Sequence, residues 1–386
     1  MALSLSAWPG VFMIVCGIVL LCVLTMTVPM HTRVNSVERI LRKERSRLQA
    51  EEQPAAESVD VPATRGVVMV AGGPKYGPLA WHNIQRLARF SPGLPVEVFA
   101  LNAEETQDWS MQAAAQQPHV TVHNMNLTER GQHIGWKSKI RAIIECSFTH
   151  VLFLDADNQV LEDVRPLFDL PGFQEHGAVL WPDTVKIHEL RQVRITQFPA
   201  WNARLWDSLL TKPNPLLLRR LGLKLRYEHE AGQMMFDKTR QRVLSALRLV
   251  QALCNHHRLT FALFHGDKDL FQVGFSSMNI PFHEVEYRPG FVGFLKSSGS
   301  FNTTGLIQRH PEDGRPLFLH VAGSAFDKKL NTDQLSHVMM PQGWDDKCIL
   351  TPPNPYYSDT PVDVWTGEHP SNFIVPYKPP HVANVS

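Results

Sequence analysis

Five cysteines in 386 residues are too few for a disulfide framework. Cys16 and Cys22 fall in an apolar stretch, and Cys146, Cys254 and Cys348 allow at most one intramolecular bridge. No CxxC pair suggests a zinc site. Charge of one sign is also missing: 38 Lys+Arg against 37 Asp+Glu leave +1, without the basic excess that a dedicated nucleic-acid binder carries. There is no HExxH of a metalloprotease, no GxSxG of a hydrolase, no GxxxxGK[ST] of a P-loop and no internal repeat. With eighteen histidines, pairs such as His256-His257 arise by chance, and Cys146 lies on a helix where packing explains it better than reactivity.

What is present begins at the N-terminus. The first thirty residues hold no Asp, Glu, Lys or Arg, and 11–28 form an uncharged apolar run just long enough to span a bilayer. Thr25-Met26-Thr27 is a poor cleavage site, so the run is expected to be an uncleaved signal anchor behind a short tail, 1–10. Six basic residues between Arg33 and Arg47 follow it, a flank that the positive-inside rule would put in the cytosol. Sequons at Asn126, Asn302 and Asn384 speak for a lumenal body.

Residues 29–64 read as a stem and linker, in which 36–53 suit a solvated helix that need not pack on anything. A globular domain is expected over 65–350, and the Pro-rich 351–386 as an extended surface tail. Within the domain, strands at 66–71, 96–101, 120–122 and 151–154 alternate with helices at 79–90 and 137–148. This alternation predicts an α/β fold with a mostly parallel, doubly wound sheet.

The segment Val151-Leu-Phe-Leu-Asp155-Ala-Asp157-Asn158 runs a buried strand straight into two carboxylates. Ligands collect beyond the carboxyl ends of such strands. Asp155 and Asp157, two apart, can offer oxygens to one hard divalent cation that bridges the phosphates of a nucleotide diphosphate. Tyr76, after Ala71-Gly72-Gly73, could stack on a donor base.

Several ordered motifs then carry a resemblance. The stretch from Lys139 through Asp155, Asp157 and Asn158, then 163–168, Leu180-Trp-Pro-Asp183, His229-Glu230-Ala-Gly-Gln233 and Phe264-His-Gly-Asp267-Lys-Asp269-Leu-Phe271 resemble the fungal-type Golgi alpha-mannosyltransferases that branch mannan chains. The similarity covers about 66–325, and the skeleton is more distantly similar to glycogenin-like retaining transferases. The resemblance implies a GT-A nucleotide-sugar fold, a type II Golgi membrane protein with a lumenal body, and a glycan or glycoprotein acceptor. It implies that His320, matching the late HxxG histidine, is a third metal ligand, and that Lys139 contacts the donor together with Tyr76, Asp155, Asn158 and Asp183. Asp267 and Asp269 compete with Glu230 and Gln233 for the reactive face of the sugar, as stabilisers of an oxocarbenium-like centre or as nucleophile. Plainer readings stand beside these: Lys139 as a helix-surface charge, Asp267 and Asp269 as the cap and first turn of a helix.

The expected function is metal-dependent transfer of a hexose, mannose from GDP-mannose, with retention. Oxygen ligands and one imidazole lean toward Mn2+ over Mg2+. A UDP-sugar-dependent transferase and a catalytically silent membrane-bound glycan-binding protein are the alternatives.

Overall fold

The computed structural model describes residues 8–51, 63–128, 133–186, 214–225, 227–264, 266–295 and 301–321, with three further strands at 337–341, 347–351 and 373–376. Two seven-stranded sheets organise them. The first runs β3 (Val120–Asn124), β2 (Val96–Ala100), β1 (Arg65–Val70), β4 (His150–Leu154), β7 (Tyr227–Asp237), β6 (Ala178–Lys186) and β8 (His283–Glu284). All are parallel except β7, which runs against both β4 and β6, so the mostly parallel sheet expected from the alternation is present. β1 and β4 are continuous apolar runs because both their faces are covered.

One face carries α2 (Gly73–Phe90), the short helices α3 (Ala103–Thr106) and α4 (Trp109–Ala115), and α6 (Pro171–His176). The other carries α5 (Ile134–Glu145), α7 (Pro215–Leu221), α8 (Gln241–Asn255), α9 (His257–Leu263) and α10 (Leu270–Ser277). α2 begins six residues before the expected 79, since Pro74 is well suited to a first helical turn. It buries Ala80, Asn83, Ile84 and Leu87, one stripe at helical spacing. α5 likewise begins before 137 and stops at Glu145, where Cys146 turns the chain into extended backbone. Cys146 and Cys254 are buried and free.

The second sheet, β14-β13-β12-β9-β10-β11-β5, was not expected. It joins β5 (Asn158–Val160), directly after the two carboxylates, to β11 (Pro316–Val321), β10 (Phe301–Arg309), β9 (Gly290–Leu295), β12 (His337–Pro341), β13 (Lys347–Thr351) and β14 (Phe373–Pro376). The segment expected to be only an extended tail therefore supplies a strand. In β11, His320 pairs with Asn158.

The solvated stem is corrected as well. α1 runs unbroken from Trp8 to Glu51, and Val34, Val37, Leu41 and Leu48 bury completely against the helical layer of α8, α9 and α7. Their 3-4-7 spacing makes one narrow apolar stripe, enough to seat the highly charged C-terminal part of the helix. Among the described residues no helix is long and apolar enough to cross a membrane. The expected span 11–28 belongs to a part of α1 whose side chains lie outside the description, as do the linker at 54–62 and the sequon at Asn384.

Candidate active site

The carboxyl edge of the first sheet opens into a cavity of about 590 Å³. At one end stand Ala71, Gly72 and Tyr76 behind β1, with Leu101 and Glu105 behind β2. Past β4 come Asp155 and Asp157, then Glu230 and Ala231 of β7, with His320 arriving from the second sheet. α5 lends Gly135, Trp136 and Lys139, and the α9–α10 turn lends Asp267 and Lys268.

A break in strand register aims the β7 residues. On β6 the neighbours Leu180 and Trp181 pair with Met234 and Glu230, so Ala231, Gly232 and Gln233 have no partner on that side and bulge toward the site. The backbone N–H of Gly232 donates to Glu230 Oε1 at 3.0 Å, and its carbonyl accepts from the N–H of Asp155 at 2.8 Å. A Cβ on Gly232 would come to 3.3 Å from His320 Nδ1, Asn158 Nδ2 and Glu230 Oε1, a tight fit that would make these three groups give by a few tenths of an ångström.

Asp155, Asp157 and His320 present donor atoms within 4.8 Å of one another. His320 Nε2 is 3.3 Å from Asp157 Oδ1, and its Nδ1 makes no hydrogen bond and lies 3.9 Å from Glu230. Burial alone would lower the imidazole, but Asp157, Glu230 and Asp155 around it raise it to about 10. Burial lifts Asp155 to about 6 against the pull of Lys139. Burial would also lift Asp157, yet His320 holds it below the usual carboxylate range. Two crowded carboxylates and one imidazole form a donor set suited to a small divalent cation, so the expected metal ligands come together as a unit.

Lys139 is 8% exposed, which rules out the helix-surface reading. Its ammonium donates to Asp155 Oδ2 at 2.8 Å and stands 3.3 Å from Asp267. Burial opposes its charge, but Asp155, Asp267 and Glu230 keep it protonated far above the ordinary lysine range. A fixed cation beside a cation site is what a diphosphate needs.

The mannosyltransferase family model Mannosyl_trans3 matches residues 64–311, which hold every one of these groups except His320. The chain belongs to this family. Among curated relatives, Alpha-1,2-mannosyltransferase MNN22 of Candida albicans is 25% identical over 309 residues, covering 72% of this chain and 52% of the relative. Alpha-1,2-mannosyltransferase MNN5 of Saccharomyces cerevisiae is 23% identical over 374 residues, covering 81% of this chain and 61% of the relative. The chain thus spans about half to three fifths of the length of these relatives. Two solved structures, the galactosyltransferase LgtC and mouse xyloside xylosyltransferase 1, are each 14% identical. LgtC covers 57% of this chain and 73% of its own at TM-score 0.37; the xylosyltransferase covers 57% and 85% at 0.36.

Of the residues expected in the site, Tyr76, Lys139, Asp155, Asp157, Glu230, Asp267 and His320 line the cavity. Four do not, and stand behind it. Asn158 is fully buried and donates to Gly232 O and Gln233 Oε1, so both amides tie β5 to the bulge instead of reaching a donor. Asp269, also fully buried, accepts from the His229 N–H and from Gln272 Nε2; burial lifts its pKa to about 7. It sits at the N-cap of α10 without capping it. Asp183 holds Lys268, which also donates to Glu228 at 2.6 Å. Burial opposes the charge of Lys268, but Asp183, Glu228 and Asp269 hold it well above the lysine range.

Lys268 and Trp136 are among the cavity residues that the sequence reading does not single out. Lys268 lay in plain view between the aspartates of Gly-Asp-Lys-Asp. Trp136 precedes Lys139 by three on α5, a spacing that puts both on one helix face.

Proposed function

We propose that this chain is a glycosyltransferase of GT-A type that moves a hexose, mannose from GDP-mannose, to a glycan acceptor with retention of configuration. The observation that carries this reading is the convergence of Asp155, Asp157 and His320 with the buried ammonium of Lys139 at the carboxyl end of a parallel strand, inside one cavity. Family membership and the alpha-1,2-mannosyltransferase names of the relatives support mannose as the sugar.

The donor set fits Mn2+, which when bound would neutralise charge developing on the leaving diphosphate. Lys139 holds a second positive charge beside the same phosphates and, tethered to Asp155 and Asp267, keeps it in place without reorganisation. Tyr76, 44% exposed at the β1 end, offers a face to the guanine base. Asp267 and Glu230, the two acidic candidates for the reactive face that line the cavity, are the groups that would steady an oxocarbenium-like centre. Burial raises Asp267 above the usual carboxylate range while Lys139 pulls the other way.

The apolar run at 11–28 and the exposed sequon at Asn126 support a type II Golgi protein with a lumenal body. α1 is packed on the domain, so the test uses the full chain in detergent. Release of nucleotide and transfer to mannosides are measured with GDP-mannose, UDP-glucose and UDP-galactose in the presence of Mn2+, and the anomer formed is read by NMR. GDP-mannose alone should turn over, giving an α-mannoside; turnover restricted to a UDP-sugar would move the chain to another donor class. Absence of nucleotide binding would leave the glycan-binding reading.

A further inference from the structure

Beyond the donor site, the cavity carries one large aromatic ring at its rim that the chemistry above does not use. Trp136 stands in the first turn of α5, is 36% exposed, and lines the cavity beside Gly266, the neighbour of Asp267. Its position is built. Phe261 meets it edge-on at 6.0 Å and His133 lies at 5.1 Å, both between ring centroids. Gly266 closes against the indole, where a Cβ would approach Cε3 to 3.0 Å. Gly266 also takes a positive φ of 64°, so the turn that presents Asp267 and Lys268 is shaped around this ring.

The layout of the cavity says which part of a substrate meets it. In the sheet, β2, β1, β4 and β7 follow one another. A diphosphate held over β4, with its nucleoside toward Tyr76 and Leu101, projects its sugar toward Glu230, Asp267 and Lys268. Trp136, packed against Gly266 beside Asp267, is the more exposed group, while the carboxylates and Lys139 are more buried. An exposed indole beside buried charged groups has the chemistry of a sugar subsite: the C–H face of a hexose stacks on the ring as its hydroxyls reach polar neighbours. Lys268 has two of its three N–H groups committed to Asp183 and Glu228 and itself lines the cavity, which suits it to a hydroxyl.

We infer that Trp136 is the stacking platform for the acceptor, a hexose residue of a glycan, next to the donor sugar. This deepens the transferase reading and rests on it for the order of substrates. The test compares the full-length wild type with Trp136→Leu, which keeps apolar bulk against Gly266, and with Trp136→Phe, which keeps a ring. KM for a mannobiose acceptor, KM for GDP-mannose and acceptor-independent nucleotide release are measured for each, with melting temperatures alongside. Trp136→Leu should raise the acceptor KM about tenfold or more, equivalent to about 1.4 kcal/mol. Donor KM and basal nucleotide release should change much less than the acceptor KM, and Trp136→Phe should recover part of the loss. An unchanged acceptor KM, or a loss confined to donor KM, overturns the assignment. If the wild type turns over no sugar nucleotide, the transferase reading fails separately, and calorimetric titration with mannobiose decides instead: binding weakened by Trp136→Leu supports the subsite, and binding that is equal in both or absent from the wild type overturns it.

Discussion

The two edges of the first sheet are both rich in charge, and they use it differently. At the edge where β1 and β4 begin, the carboxylates are matched to partners of opposite character. Glu97 accepts from the Ser147 N–H and hydroxyl and lies 3.0 Å from His123, Arg240 holds Asp237 at 2.9 Å, and Arg65 meets Asp169 at 2.6 Å. At the edge where they end, carboxylates are gathered together, and buried polar atoms stay unused. Asn158 Oδ1, Gln233 Nε2 and His320 Nδ1 make no hydrogen bond within the protein. Leaving such atoms unmatched costs stability, so an edge that does it is organised around something besides the fold. The first edge should respond to mutation through stability, the second through activity.

The largest effect is expected at the second edge. Asp157→Ala should lower mannosyl transfer on the order of a thousandfold, read as kcat/KM, with an unchanged circular dichroism spectrum. Asn158→Ala acts one layer back, loosening the amide pair that sets the bulge and the strand facing His320. Activity should fall about 10- to 100-fold, with more metal needed for half-maximal rate.

At the first edge, Glu97→Ala strands the Ser147 groups, and denaturant titration should give a loss of about 1–3 kcal/mol while kcat is kept. A large loss of kcat there would break the contrast.

Asp269 sharpens it through pH. Its folded pKa, about 7, lies above its unfolded value, so its contribution is most favourable below the unfolded pKa and is lost as pH rises through the folded one. The melting temperature of Asp269→Asn relative to wild type should therefore climb between about pH 4 and about pH 7; a flat difference would deny the buried carboxyl. The smallest effect concerns neither edge. Asn126→Gln should reduce a glycosidase-sensitive gel shift by one glycan without changing activity, and lack of any shift in the wild type would argue against the lumenal assignment.

Much of this was legible from local pattern. The runs Val67–Val70 and Val151–Leu154 are apolar throughout because both sheet faces are covered, and a strand followed by Asp155 and Asp157 reads as a site from sequence alone. The rest depends on partners far apart in the chain. Lys268 meets Asp183 across 85 positions, and Asn158 faces His320 across two strands whose pairing has no local signal. Lys139 looks like any helix lysine until Asp155 and Asp267 close over it. The stem misled because its apolar residues are few, yet Val34, Val37, Leu41 and Leu48 fall on one line and need only a groove.

The central claim is that the Asp155, Asp157 and His320 edge is a divalent-cation site serving a nucleotide diphosphate. Electron paramagnetic resonance of Mn2+ titrated into the full-length protein, with and without GDP, tests it most directly. Saturable binding that GDP tightens and that Asp157→Ala abolishes is the predicted result; Mn2+ binding equal in wild type and variant, and indifferent to GDP, would contradict it.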